Sequence, residues 1–255
     1  MEKNNIPELH IALVSEEVLR QMADFFRDAA LRAVAAQGRF SVALSGGNSP
    51  KKLFELLASP AYRGQIPWEK GAFFFGDERY VPHTDPDSNY GMAKAALLDP
   101  LGIKAEQVFA VDTALTPEQA AERYTQSIEQ FFAPDTARFD LVLLGLGDNS
   151  HTASLFPHTP VLHVTEANVQ AVFVEEKQAY RITFTAPLIN QARAVAFLVY
   201  GADKALAVKR VLTEDRQIEE YPAQLIAPTS GNVHWFMDQA AASELGHLGT
   251  VTNAT

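Results

Sequence analysis

The chain has 255 residues, 47% apolar and 20% charged, which supports a sizeable core in one large α/β domain over residues 1–255. Its formal net charge of -10 excludes a general basic footprint for nucleic acid, so an anion site must be a local cluster of cations and backbone N–H groups. Without cysteine there is no disulfide, no Cys-based zinc site and no thiol nucleophile, and no stretch reaches the ~18 apolar residues of a membrane helix.

The N-terminal stretch MEKNNIPELHIALVSEE lacks a long apolar run and does not read as a signal peptide, so a soluble cytoplasmic protein is expected. Ser15 to Gly38 predicts the first helix. Val18, Met22, Phe25 and Ala29 share a face, Ser15 caps the start and Gly38 ends it. Phe40–Leu44 predicts a strand, SGGNSP follows it, and KKLFELLA predicts a helix with Ser49 as N-cap and Pro50 at its first position. Ala72–Phe75 predicts a buried strand ending in GDERYVP, and Ser88 caps a helix through NYGMAKAALL. Val108–Val111 predicts another strand. Thr116 and Gln119 make a capping box for the helix EQAAERYTQSIEQFF. Phe139–Leu144 predicts a central strand running into GLGDNSH. Strands are further predicted over Val169–Val174, Tyr180–Thr185, Ala194–Tyr200 and Val233–Phe236, with helices in DKALAVKRVL and MDQAAASEL and a fraying tail from Gly249. A small lobe between about Phe156 and Gln191 fits the pattern. Alternating strands and helices imply a three-layer, mostly parallel Rossmann-like sheet covered on both faces, with ligands beyond the carboxyl ends of the strands.

Several segments carry chemical potential. In SGGNSP, Gly46 and Gly47 let the backbone approach a ligand, Ser45 and Ser49 add hydroxyls, and the next helix offers open N–H groups suited to phosphate. The same segment also fits an ordinary tight turn. In GDERYVP, Asp77 can position a hydroxyl or act as a base and Arg79 can hold phosphate, while a salt-bridged loop is the competing reading. GLGDNSHTASLFP places His151 after a glycine-rich turn at a strand end, which favours a general base over a structural histidine. Arg181 and Lys204 suit phosphate, or a solvated surface. Histidines 10, 83, 158, 163, 234 and 247 lack zinc-binding spacing such as HExxH and read as structural or surface residues.

The runs LSGGNSP, FGDERYVPHTDPDSNYGMAKAALL, DLVLLGLGDNSHTASLFP, RITFTAPLIN and GADKALAVKRVL occur in the order found in 6-phosphogluconolactonases, and the chain resembles that family from about Phe40 onward. The resemblance implies a fold shared with glucosamine-6-phosphate deaminase and ribose-5-phosphate isomerase. It implies hydrolysis of 6-phospho-D-glucono-1,5-lactone, without metal or organic cofactor. It further implies that the SGGNSP loop (Ser45, Gly46, Gly47, Asn48, Ser49), Arg79, Arg181 and Lys204 surround phosphate and sugar hydroxyls. Asp77 would then lie in the pocket and His151 would be the base. A monomer or weak homodimer with only a small-molecule sugar phosphate as partner is expected. Two departures stand out: Asn48-Ser49 replaces Ser-Thr, and Asn149-Ser150 replaces the Asp-Gly common before the histidine. Asn149 can orient an imidazole but supplies no charge. A deaminase would carry Glu where Phe156 stands, and a non-catalytic sugar-phosphate sensor finds its only support in Asn149.

Overall fold

The computed structural model describes residues 6–228 and 230–246; the tail from Gly249 lies outside them. Nine strands are named here. They are β1 (Glu8–Ala12), β2 (Phe40–Leu44), β3 (Gly71–Phe75), β4 (Asp77–Arg79), β5 (Leu141–Leu144), β6 (Val169–Val174), β7 (Ala179–Phe184), β8 (Ala194–Val199) and β9 (Asn232–Asp238). Six form a parallel sheet in the order β1-β9-β8-β5-β2-β3, and β4-β7-β6 form a separate antiparallel sheet. From β2 the chain moves outward to β3, then returns to place β5 on the other side of β2. The order therefore reverses between β2 and β5, where parallel sheets open a crevice for ligands.

β2, β3 and β5 are buried throughout, as strands covered on both faces must be. Alternation divides their side chains. Val42, Leu44, Phe73 and Phe75 meet Met22 and Phe26 of α1 (Ser15–Gln37) and Leu53 and Phe54 of α2 (Asn48–Ala58). Ala43, Phe74 and Leu144 face the opposite way, toward α5 (Pro117–Phe132) and the antiparallel sheet. Between them run α3 (Asn89–Ala93), a π-turn over Lys94–Leu98 and α4 (Asp99–Leu101); α6 (Ala186–Asn190) and α7 (Ala205–Thr213) follow later.

The capping box at Thr116 and Gln119, the Ser88 cap and the left-handed Gly38 at the end of α1 form as predicted. Other expectations change. Val14, not Ser15, stands at the cap of α1, and Phe26 rather than Phe25 is fully buried. Gly47 rather than Ser49 stands at the cap of α2, with a φ of 100° that only glycine adopts readily. Val108 contributes a single bridge to Phe73 instead of a strand. Residues 239–245 form turns, not a helix, because β9 consumes Met237 and Asp238. β1 and β4 have no counterpart in the sequence reading. β1 is short and only partly buried, and β4 hides an edge pairing behind three charged residues.

Candidate active site

Three turns at the carboxyl ends of β2, β3 and β5 enclose a cleft of about 150 Å³, lined by Ser45, Gly46, Asp77, Arg79, Gly145, Leu146, Gly147, His151, Thr152 and Ala153. The His151 loop is locked by its own backbone. Gly147 N–H donates to His151 O at 2.9 Å, and Ser150 N–H to Gly147 O at 3.0 Å. Closing so tight a loop puts Ser150 at φ 62°. Glycine is required at 147, since a Cβ there would lie 2.0 Å from His151 Nδ1.

The imidazole is held on two sides. Phe156 stacks on its face, with ring centroids 4.0 Å apart and planes 18° apart. Asn149 Oδ1 lies 2.5 Å from His151 Nδ1 and also accepts from His151 N–H at 3.3 Å. A main-chain N–H must find an acceptor, so the oxygen of Asn149 faces His151. Nδ1 therefore carries the proton and Nε2 the lone pair. Burial holds the imidazole down at about 4, only partly offset by Asp77, so the ring is neutral near pH 7.

Asp77 is buried and anchored. Its Oδ2 accepts from Ser154 Oγ at 2.7 Å, and its Oδ1 from Asn89 Nδ2 at 3.3 Å. Asn89 also packs over Gly46, where a Cβ would meet its Oδ1 at 1.8 Å. Glycine at 46 thus brings α3 and the β2 turn together. Asn89 and Ser154 escaped the sequence reading because both are ordinary polar residues that become supports only through tertiary contact.

Arg79 lines this cleft and an adjoining one of about 810 Å³ that also includes Gly47, Asn48, Lys51 and Lys94. Among the described residues no side chain caps α2, and Gly47, Asn48 and Lys51 around its first turn line the larger cleft. Arg181 sits directly opposite Arg79 in the β4/β7 pair. Burial, then Arg79, pushes the Arg181 guanidinium below its usual range, as for a pair of cations brought together. Ser49, Asn149, Arg181 and Lys204 are not among the residues lining either cleft. Lys204 lies on the turn after β8, 3.6 Å from Asp203 Oδ2.

This arrangement offers a neutral, oriented base beside open N–H groups and cations, which suits proton transfer on an anionic substrate. A family model described as glucosamine-6-phosphate isomerases/6-phosphogluconolactonase matches residues 14–235. A 6-phosphogluconolactonase of Synechocystis sp. is 45% identical over 219 residues, which cover 84% of this chain and 88% of that protein. Human 6-phosphogluconolactonase is 39% identical over 217 residues, which cover 84% of each. The solved 6-phosphogluconolactonase from Trypanosoma cruzi matches with a TM-score of 0.83 at 25% identity, covering 96% of this chain and 99% of that one. The chain belongs to the glucosamine-6-phosphate isomerase/6-phosphogluconolactonase family.

Proposed function

We propose that this protein hydrolyses 6-phospho-D-glucono-1,5-lactone to 6-phosphogluconate, the second step of the oxidative pentose phosphate pathway, with His151 as general base. The observation that carries the reading is the neutral imidazole whose Nδ1 is committed to Asn149 Oδ1, leaving Nε2 to accept a proton. His151 Nε2 takes a proton from water, and the hydroxide adds to C1 of the lactone. The oxyanion at C1 falls to backbone N–H groups of the glycine-rich turns. When the bond from C1 to the ring oxygen breaks, His151 returns its proton to that oxygen. Acid and alcohol are thereby released with no net proton held by the enzyme.

The phosphate is assigned to Asn48 and Ser49 at the start of α2, together with Arg79, Arg181 and Lys204. Ser45 and Asp77 bind sugar hydroxyls, and Gly46 and Gly47 admit the substrate to the backbone. Asn149 acts through the imidazole as its positioning residue. The reading includes a cytoplasmic monomer or weak homodimer, for which a cysteine-free composition suits a reducing compartment.

Lactone disappearance above the spontaneous rate is the test. His151→Ala should lower kcat by ~10²–10⁴-fold. Undiminished activity in that variant would remove His151 from the mechanism. Ammonia release from glucosamine 6-phosphate would instead make the protein a deaminase.

A further inference from the structure

We propose a divalent transition-metal site, of the zinc type, formed by Glu8, His10 and His234 at the amino end of the parallel sheet. This is the end opposite the His151 cleft. Three ligand atoms converge there, all within 4.8 Å of one another. His10 Nε2 lies 3.1 Å from His234 Nδ1, and His234 Nδ1 lies 3.4 Å from Glu8 Oε2. Zinc bonds of ~2.0–2.2 Å at tetrahedral angles place neighbouring ligand atoms ~3.3 Å apart. The two spacings through His234 are therefore those of a chelate, and the remaining pair, Glu8 and His10, lies within 4.8 Å.

The register of the sheet explains the convergence. β1 and β9 pair in parallel with Glu8 opposite His234 and His10 opposite Phe236. Period-two alternation then puts Glu8, His10, Asn232, His234 and Phe236 on one face. Residues 224 apart in sequence become neighbours, which is why no local metal motif marks them.

The surroundings orient each ligand. Asn232 Nδ2 donates to Glu8 Oε1 at 3.3 Å, holding the carboxylate by one oxygen and leaving Oε2 toward the histidines. The His10 ring stacks on Phe236 at 4.3 Å with planes 6° apart, and Phe25 packs against His234 at 4.4 Å. A broad cleft of about 820 Å³ reaches His234 and supplies an entry path. Two histidines and one carboxylate leave a fourth position for water. Bound metal would pin the edge strand β1 to β9.

The test uses tag-free protein stripped with EDTA, dialysed, and titrated with zinc chloride by calorimetry, with thermal unfolding in parallel. One zinc per chain with micromolar affinity is expected, raising Tm by about 5 °C at saturating metal. Glu8→Gln should weaken binding at least 10-fold, and His10→Gln at least 100-fold. Glu8 is exposed and His10 half-buried, so both variants should fold, which Tm without metal verifies. His163→Gln should bind zinc like wild type, because His163 and His158 face Glu219 and Glu220 in a separate exposed group. Absence of zinc binding at 1 mM, or affinity unchanged in both Glu8→Gln and His10→Gln, would overturn the site.

Discussion

At the scale of single residues, the proposed chemistry turns on how His151 is held neutral. Desolvation sets its pKa at about 4, well under the 6.5 of a free imidazole, and the Asp77 charge recovers only part of that drop. Activity that needs the unprotonated ring should be flat from pH 8 to about pH 5, then fall about tenfold per unit below pH 4. A pH profile of kcat/KM checks this, and an acid limb near 6.5 would contradict it. Asn149→Asp puts a carboxylate against Nδ1 and stabilises the imidazolium. The acid limb should then move to higher pH, while activity at pH 8 holds or rises. Ser150 invites a second substitution. It sits at φ 62°, and its buried Oγ has no partner among the described residues. Ser150→Gly relieves a left-handed backbone and a desolvated hydroxyl, offset in part by glycine's greater chain entropy. A gain of about 1 kcal/mol should appear in the denaturation midpoint.

At the scale of elements, a buried carboxylate holds the junction between β4 and α3. Glu78 is 0% exposed, and four donors converge on it. Its Oε1 accepts from Arg79 N–H and Asn89 N–H, and its Oε2 from Ser88 Oγ and Tyr90 N–H. Burial raises its pKa while these backbone donors oppose the rise. The carboxylate thus serves as an internal cap for the first turn of α3, which carries Asn89 to Gly46 and Asp77. Glu78→Gln turns half of the acceptor into a donor aimed at N–H groups. It should cost about 2–3 kcal/mol in urea unfolding. Lactone hydrolysis should also fall, through a displaced Asn89. The sequence showed three adjacent charges after an apolar strand and assigned importance to Asp77 and Arg79. It could not show that Glu78 faces inward, because that follows from pairing of β4 with β7.

At the scale of the whole molecule, one aromatic network joins the two sheets. Phe139, just before β5, stacks on Phe184 of β7 at 5.2 Å and meets Phe74 and Phe132 edge-on at 5.1 and 5.0 Å. Phe139→Ala should cost ~3–5 kcal/mol, since neither sheet can collapse into the gap without moving the other. Thermal unfolding measures the loss. It should also loosen the cleft, because Thr183 of β7 accepts from Ser154 N–H and so ties the antiparallel sheet to the His151 loop.

Local chemistry by itself determined much of this protein. Apolar runs marked β2, β3 and β5, caps marked α3 and α5, and glycine-rich turns after strands marked segments that line the cleft. Those signals are short-range and survive in the linear order of residues. Strand order, the inward turn of Glu78, the Asn89 and Ser154 supports and the meeting of His10 with His234 were decided only by tertiary structure. Each depends on register between segments far apart in the chain. Register is set by how two faces bury together, which no local run of residues encodes.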